Sequence, residues 1–149
     1  MRKRSIALTV AFCLAAALCF ASPLMGTWKL NDAKSKIPAG APKSITVTYE
    51  AAGDSIKCTI DGTDPEGKPT HTVWTGKFDG KDYPVDDGTT RSAKMINAHT
   101  YNVAVKKDGK VTMSGKIVIA ADGKTRTVTL SGMDASGKKM TSVAAYDKQ

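Results

Sequence analysis

The chain has 149 residues, with 22 Lys or Arg against 14 Asp or Glu (formal charge +8), 41% hydrophobic residues and three cysteines. That length allows one hydrophobic core and leaves no room for a second domain. Two of the cysteines lie in the first twenty residues, which excludes an internal disulfide framework in the remaining chain, and the lysines are too dispersed for a nucleic-acid surface.

Residues 1–21 read as a secretory signal peptide. Arg2, Lys3 and Arg4 form a basic start, Ile6 to Phe20 an apolar run, and Ala21 a small residue at the cleavage point. The run is short for a membrane span. Leu18 before Cys19 is a poor match to a lipid-modification site. Removing this leader leaves about 128 residues (22–149) as one domain, and the charge falls to about +5. After cleavage no stable membrane insertion is expected. The product is expected outside the cytoplasm, periplasmic or extracellular, as a monomer.

The mature chain opens on "GTWKLN" (26–31), a short strand-like run, and then on "NDAKSKIPAGAPKS", whose prolines and glycine make a loop rather than a helix. From Ser44 onward, apolar residues alternate with threonine-rich positions. Ile45, Val47 and Tyr49 share one face, as do Ile56, Cys58 and Ile60, then Tyr101, Val103 and Val105, and later Val128 and Leu130. Period two marks half-buried antiparallel strands. Strands are predicted over 26–30, 44–51, 54–61, 70–78, 81–85, 91–97, 99–107, 110–120, 124–132 and 138–146. Cys58, alternating with isoleucines, reads as a buried, unreactive thiol.

Asp-Gly pairs at 61–62, 79–80, 87–88, 108–109 and 122–123 punctuate the runs, and "KKDGKVT" and "AADGKTR" read as hairpin turns. "TDPEGKP" reads as a type I turn closed through Gly67. "IDGTDPEGKPTHTVW" (60–74) and "LSGMDASGKKMTSVA" (130–144) repeat the same spacing at an offset of 70. Two hairpins with shared turn chemistry explain this more simply than a duplicated half.

Short links favour pairing between sequence neighbours, and closure removes the exposed edges of a wide sheet. The expected fold is therefore all-β, an up-and-down antiparallel meander closed into a barrel of about 8–10 strands, with a β-sandwich as the alternative. An exported meander opening on Gly26-x-Trp28 resembles the calycin group, and most of all the lipocalin-like domains of bacterial envelopes. The resemblance implies that Gly26 and Trp28 close one end of the barrel, with Arg126 from a late strand over the indole. It departs from lipocalins in lacking a terminal helix and a cysteine pair. Biotin-binding barrels also open Gly-Thr-Trp, but two tryptophans are too few for their pocket.

The inward faces would place Tyr49, Cys58, Trp74, Met95, Tyr101, Met113 and Tyr146 in the interior. Of these, Tyr49, Trp74, Met95, Tyr101, Met113 and Tyr146 are the candidate ligand-binding residues. The expected function is binding a small hydrophobic or amphipathic ligand inside the barrel. The alternative is an envelope interaction module without a cavity, such as an inhibitor. An enzyme would have to use Asp82, Tyr83 and His99, and catalysis is not expected. Neither a cofactor nor a metal is expected, since His71 and His99 lack a carboxylate pattern around them.

Overall fold

The computed structural model describes residues 22–149; the leader expected over 1–21 lies outside them. Ten strands follow one another: β1 (Gly26–Leu30), β2 (Lys43–Ala52), β3 (Ser55–Thr63), β4 (Pro69–Gly76), β5 (Tyr83–Pro84), β6 (Thr90–Asn97), β7 (Thr100–Lys107), β8 (Lys110–Ile119), β9 (Thr125–Met133) and β10 (Lys139–Lys148). A 3-10 turn at Asp32–Lys34 is the one helical piece among the described residues.

The strand order β4-β3-β2-β1-β10-β9-β8-β7-β6-β5 is an antiparallel meander whose first and last strands pair. The sheet curls into a nearly closed barrel, so the sandwich alternative does not form. Closure runs through the segment between β4 and β6. Its early part lies against β6, where Gly80 N–H donates to the Ala93 carbonyl (2.9 Å) and Met95 N–H to that of Phe78 (3.2 Å). Farther on, Tyr83 and Pro84 pair with Arg91 and Thr90, and Val85 bridges across to Trp74 on β4. Gly76 makes the seam possible, because any Cβ there would run into the Tyr83 ring.

The two ends of the barrel differ. Trp28, wholly buried, lies at the floor, with the 97–100 and 120–124 turns. The opposite end, the mouth, carries the long 31–42 loop. This loop returns to the sheet beyond β1, exchanging two hydrogen bonds between Lys36 and Val143.

The turns follow their residue chemistry. Asp108 (φ 51°) and Gly109 (φ 76°) form the two-residue turn of the β7–β8 hairpin, where successive positive φ angles suit Asp-Gly. Gly62 departs from the turn reading. It lies within β3, at the point where β2 shifts register between Ser44 and Thr46, and a side chain there would strike the Lys43 carbonyl. A missing Cβ, not a positive φ, is what this position requires.

The repeated hairpins keep one register. Ile60 faces Thr72 and Cys58 faces Trp74 in the first; Leu130 faces Ser142 and Val128 faces Ala144 in the second. Their turns share the same backbone hydrogen bonds. The Asp64 and Asp134 carboxylates each accept from the backbone two and four residues on, at 2.9–3.0 Å. The flanking strands do not keep the offset of 70. Tyr49 faces Cys58, whereas Ile117 faces Val128, a shift of two positions, matching the longer 120–124 turn. Shared turn chemistry therefore accounts for the hairpins, and the strands before them pair in a different register.

Two measurements check this packing. Cys58 is 1% exposed, and burial pushes its thiol up to about 11. An aromatic disulfide reagent should leave it unmodified at pH 8 in the native protein and react fully in denaturant. Gly115→Ala should lower the unfolding free energy by about 1–3 kcal/mol in urea titration, since its Cβ would collide with the Thr129 carbonyl across the β8–β9 ladder.

Candidate functional site

The floor is built around a buried cation. Arg126, on β9, is 3% exposed, and its guanidinium carbon lies 4.9 Å from the Trp28 ring, 5.4 Å from Tyr49 and 4.6 Å from Tyr146. One terminal nitrogen donates to the Tyr49 hydroxyl at 3.3 Å. No carboxylate lies within ion-pair distance of it among the described residues. The three ring faces replace the missing counterion, each desolvated contact being worth about 2 kcal/mol. Trp28 is fixed in turn, its indole N–H donating to the Leu24 carbonyl at 2.8 Å. The segment before β1 folds beneath it. Ser22 and Tyr101 share a hydroxyl hydrogen bond, and the Lys148 ammonium donates to the Pro23 carbonyl. Gly26 adopts φ 104° where the chain turns from this segment into β1.

Above the floor a partly enclosed cavity of about 130 Å³ lies inside the barrel. Inward rows from several strands line it: Val47 and Tyr49 on β2, Cys58 and Ile60 on β3, Val103 and Val105 on β7, Val128 and Leu130 on β9, and Ala144 and Tyr146 on β10. Trp74 stands beside the β4–β5 seam, Arg126 lies at one end, and Ile37 and Pro42 of the 31–42 loop lie at the other. The void follows from side-chain size. Near the floor the inward positions carry large rings; toward the mouth they carry Val, Ala and Ser, and Gly115 lets β8 press against β9.

Of the candidate residues, Tyr49, Trp74 and Tyr146 line this cavity. Tyr101 is wholly buried but below it, edge-on to Phe78 at 5.1 Å between ring centroids and bonded to Ser22. Met113 is half-buried on β8 and is not part of the lining. Met95 is 36% exposed and is not part of the lining, although it keeps the parity of Ala93 and pairs with the buried Tyr101; β6 slips register only beyond it, between Met95 and Asn97. Arg91, on the inward row of β6 with Ala93, lines the cavity although the sequence reading does not select it. The signal for it is parity: it stands two residues before Ala93, and both face the apolar row of Val103 and Val105.

The polar groups an enzyme would need are apart. Asp82 is engaged by Lys106 at 2.7 Å, and Tyr83 donates to Asp79. His99 sits in the β6–β7 turn, the length of β6 away, roughly 20 Å. His71 pairs with Asp61 on the outer surface. Among the described residues no three His, Cys, Asp or Glu side chains gather as a metal site would require.

Burial pushes the Tyr49 hydroxyl up to about 12, against the opposing charge of Arg126, and raises Tyr146 in the same direction. In the unfolded chain tyrosines ionise near 10. The native state therefore holds protons that the unfolded state releases between pH 10 and 12. The Tyr49 contribution is complete below pH 10 and declines by up to about 3 kcal/mol toward pH 12. Urea midpoints measured from pH 8 to 12 should fall across that window, and Tyr49→Phe should flatten the fall.

The barrel is compatible with a lipocalin-like fold and with ligand binding. Compared with protein-family models and with curated proteins, the chain matches none.

Proposed function

We propose that this protein is an exported, monomeric, lipocalin-like carrier that holds a small apolar or amphipathic molecule inside its barrel. The observation that supports it is the interior cavity, whose walls carry Val, Ile and Ala on several strands with three aromatic rings. Its 130 Å³ is below the 300–1,000 Å³ of drug-sized pockets. A dry cavity near 150 Å³ accepts benzene, so the occupant is a single ring or a short chain. The Trp28–Arg126 stack supports calycin kinship, because that group places a tryptophan and an arginine together at the closed end. The leader over residues 1–21 belongs to the same reading and delivers the domain to the periplasm or beyond.

A second reading has one observation of its own. An open cleft beside the 31–42 loop, lined by Pro38, Ala39, Ile45 and Pro65, lies on the outer surface, with Ile45 39% exposed. Such a surface suits an interaction module. It carries less weight, since solvated apolar patches of this size occur on many proteins.

The test is a backbone-amide NMR titration with benzyl alcohol. Saturable shifts confined to cavity residues such as Val103, Val128 and Ala144 are expected. Ala144→Leu, which fills the space, should abolish them while leaving the thermal transition cooperative. No shift at millimolar alcohol, or shifts centred on the outer cleft, would overturn the carrier reading.

A further inference from the structure

The cavity carries a charge pattern that its apolar walls do not require. Two arginines, Arg91 and Arg126, line it, and neither a carboxylate nor a lysine is among the lining side chains. Arg126 is occupied on its faces by rings, but its Nε is buried without a hydrogen-bond partner. Arg91 has no ring over it among the described residues, and its Nε is likewise buried and unpartnered. Both charges act on the same interior: burial raises the Cys58 thiol, and Arg91 and Arg126 each pull against that rise. Asp87 feels Arg91 as well, yet its carboxylate already accepts from the Thr89 backbone (2.9 Å) and hydroxyl.

Arg91 is half-buried, and a cation held partly out of water gains from a ligand that brings an anion to it. A carboxylate matches the guanidinium fork with two parallel, charge-assisted hydrogen bonds. We propose that the cavity selects a small monoanionic amphiphile, an aromatic or short-chain carboxylate, whose head pairs with Arg91 while its apolar body rests against Val103, Val128 and Ala144. Arg126 adds an attractive field from the floor without surrendering its stacking. This inference rests on the carrier reading and names the chemistry of its ligand. A cationic or neutral molecule of the same shape offers the Arg91 fork no anion and binds more weakly.

The experiment compares benzoate, benzyl alcohol and benzylamine, three heads on one ring, by the same NMR titration and by calorimetry. Benzoate should bind about tenfold or more tighter than the alcohol, the amount expected for one charge-assisted bond, and benzylamine weakest. Arg91→Gln should erase the preference for benzoate over the alcohol, and Arg91→Lys should retain part of it. Benzyl alcohol binding as tightly as benzoate overturns the anion preference and leaves the carrier reading standing. A preference that survives Arg91→Gln overturns the role of Arg91. Binding by none of the three overturns both the cavity reading and this one.

Discussion

Everything at the closed end of this barrel depends on holding one guanidinium away from water without a counterion. Arg126 belongs to β9, and the rings around it come from β1, β2 and β10, so the stack spans four adjacent strands. This matters because β1 and β10 pair over only three positions, Trp28–Leu30 against Lys148–Tyr146. So short a ladder gives little backbone pairing, and the side-chain cluster supplies the rest. The Trp28 indole is the shared element: it receives Arg126 on its ring, gives its N–H to Leu24, and has the Lys148 ammonium 5.3 Å from its centroid.

The same arrangement makes the interior asymmetric. Bulk concentrates at the floor, where indole, phenols and guanidinium fill the cross-section, while valines and alanines toward the mouth leave space. The barrel is therefore neither a filled plug nor a wide calyx. Its seam adds a second asymmetry. Between β4 and β6 the wall is two short residues of β5 and a few bridges, with Trp74 and Arg91 on either side. The wall is therefore thinnest in backbone hydrogen bonds beside Trp74 and Arg91.

Much of this was legible in the residues. Alternation of Val47 with Tyr49, or Val128 with Leu130, carries its own address, since a strand with one buried face has one sensible register. Asp108-Gly109 and Asp64 to Gly67 announced their turns because only certain residues tolerate those backbone angles. What was not legible depended on neighbours. Met95 has inward parity and pairs with buried Tyr101, yet it stands at the end of the regular ladder, where the side chain is 36% exposed. Asp61-Gly62 has the composition of a turn, yet the bulge in the facing strand decides its place. Arg91 was hidden by its charge, because an arginine in an alternating strand reads as solvent-facing until the opposite row is known to be Val103 and Val105. Whether a void remains in the centre is a sum over all strands at once, which no local pattern contains.

A topology in which the two terminal strands zip together has a consequence for how the molecule comes into being. Lys148 reaches back to the carbonyl of Pro23, 125 positions earlier, and Gln149 N–H donates to Thr27. Until β10 has emerged from the ribosome, the opening strand has β2 on one side and nothing on the other. Hairpins can form while synthesis proceeds, but the ring cannot. A chain built this way cannot close its ring until β10 is in place, and losing that strand removes a stave of the barrel rather than a loose end.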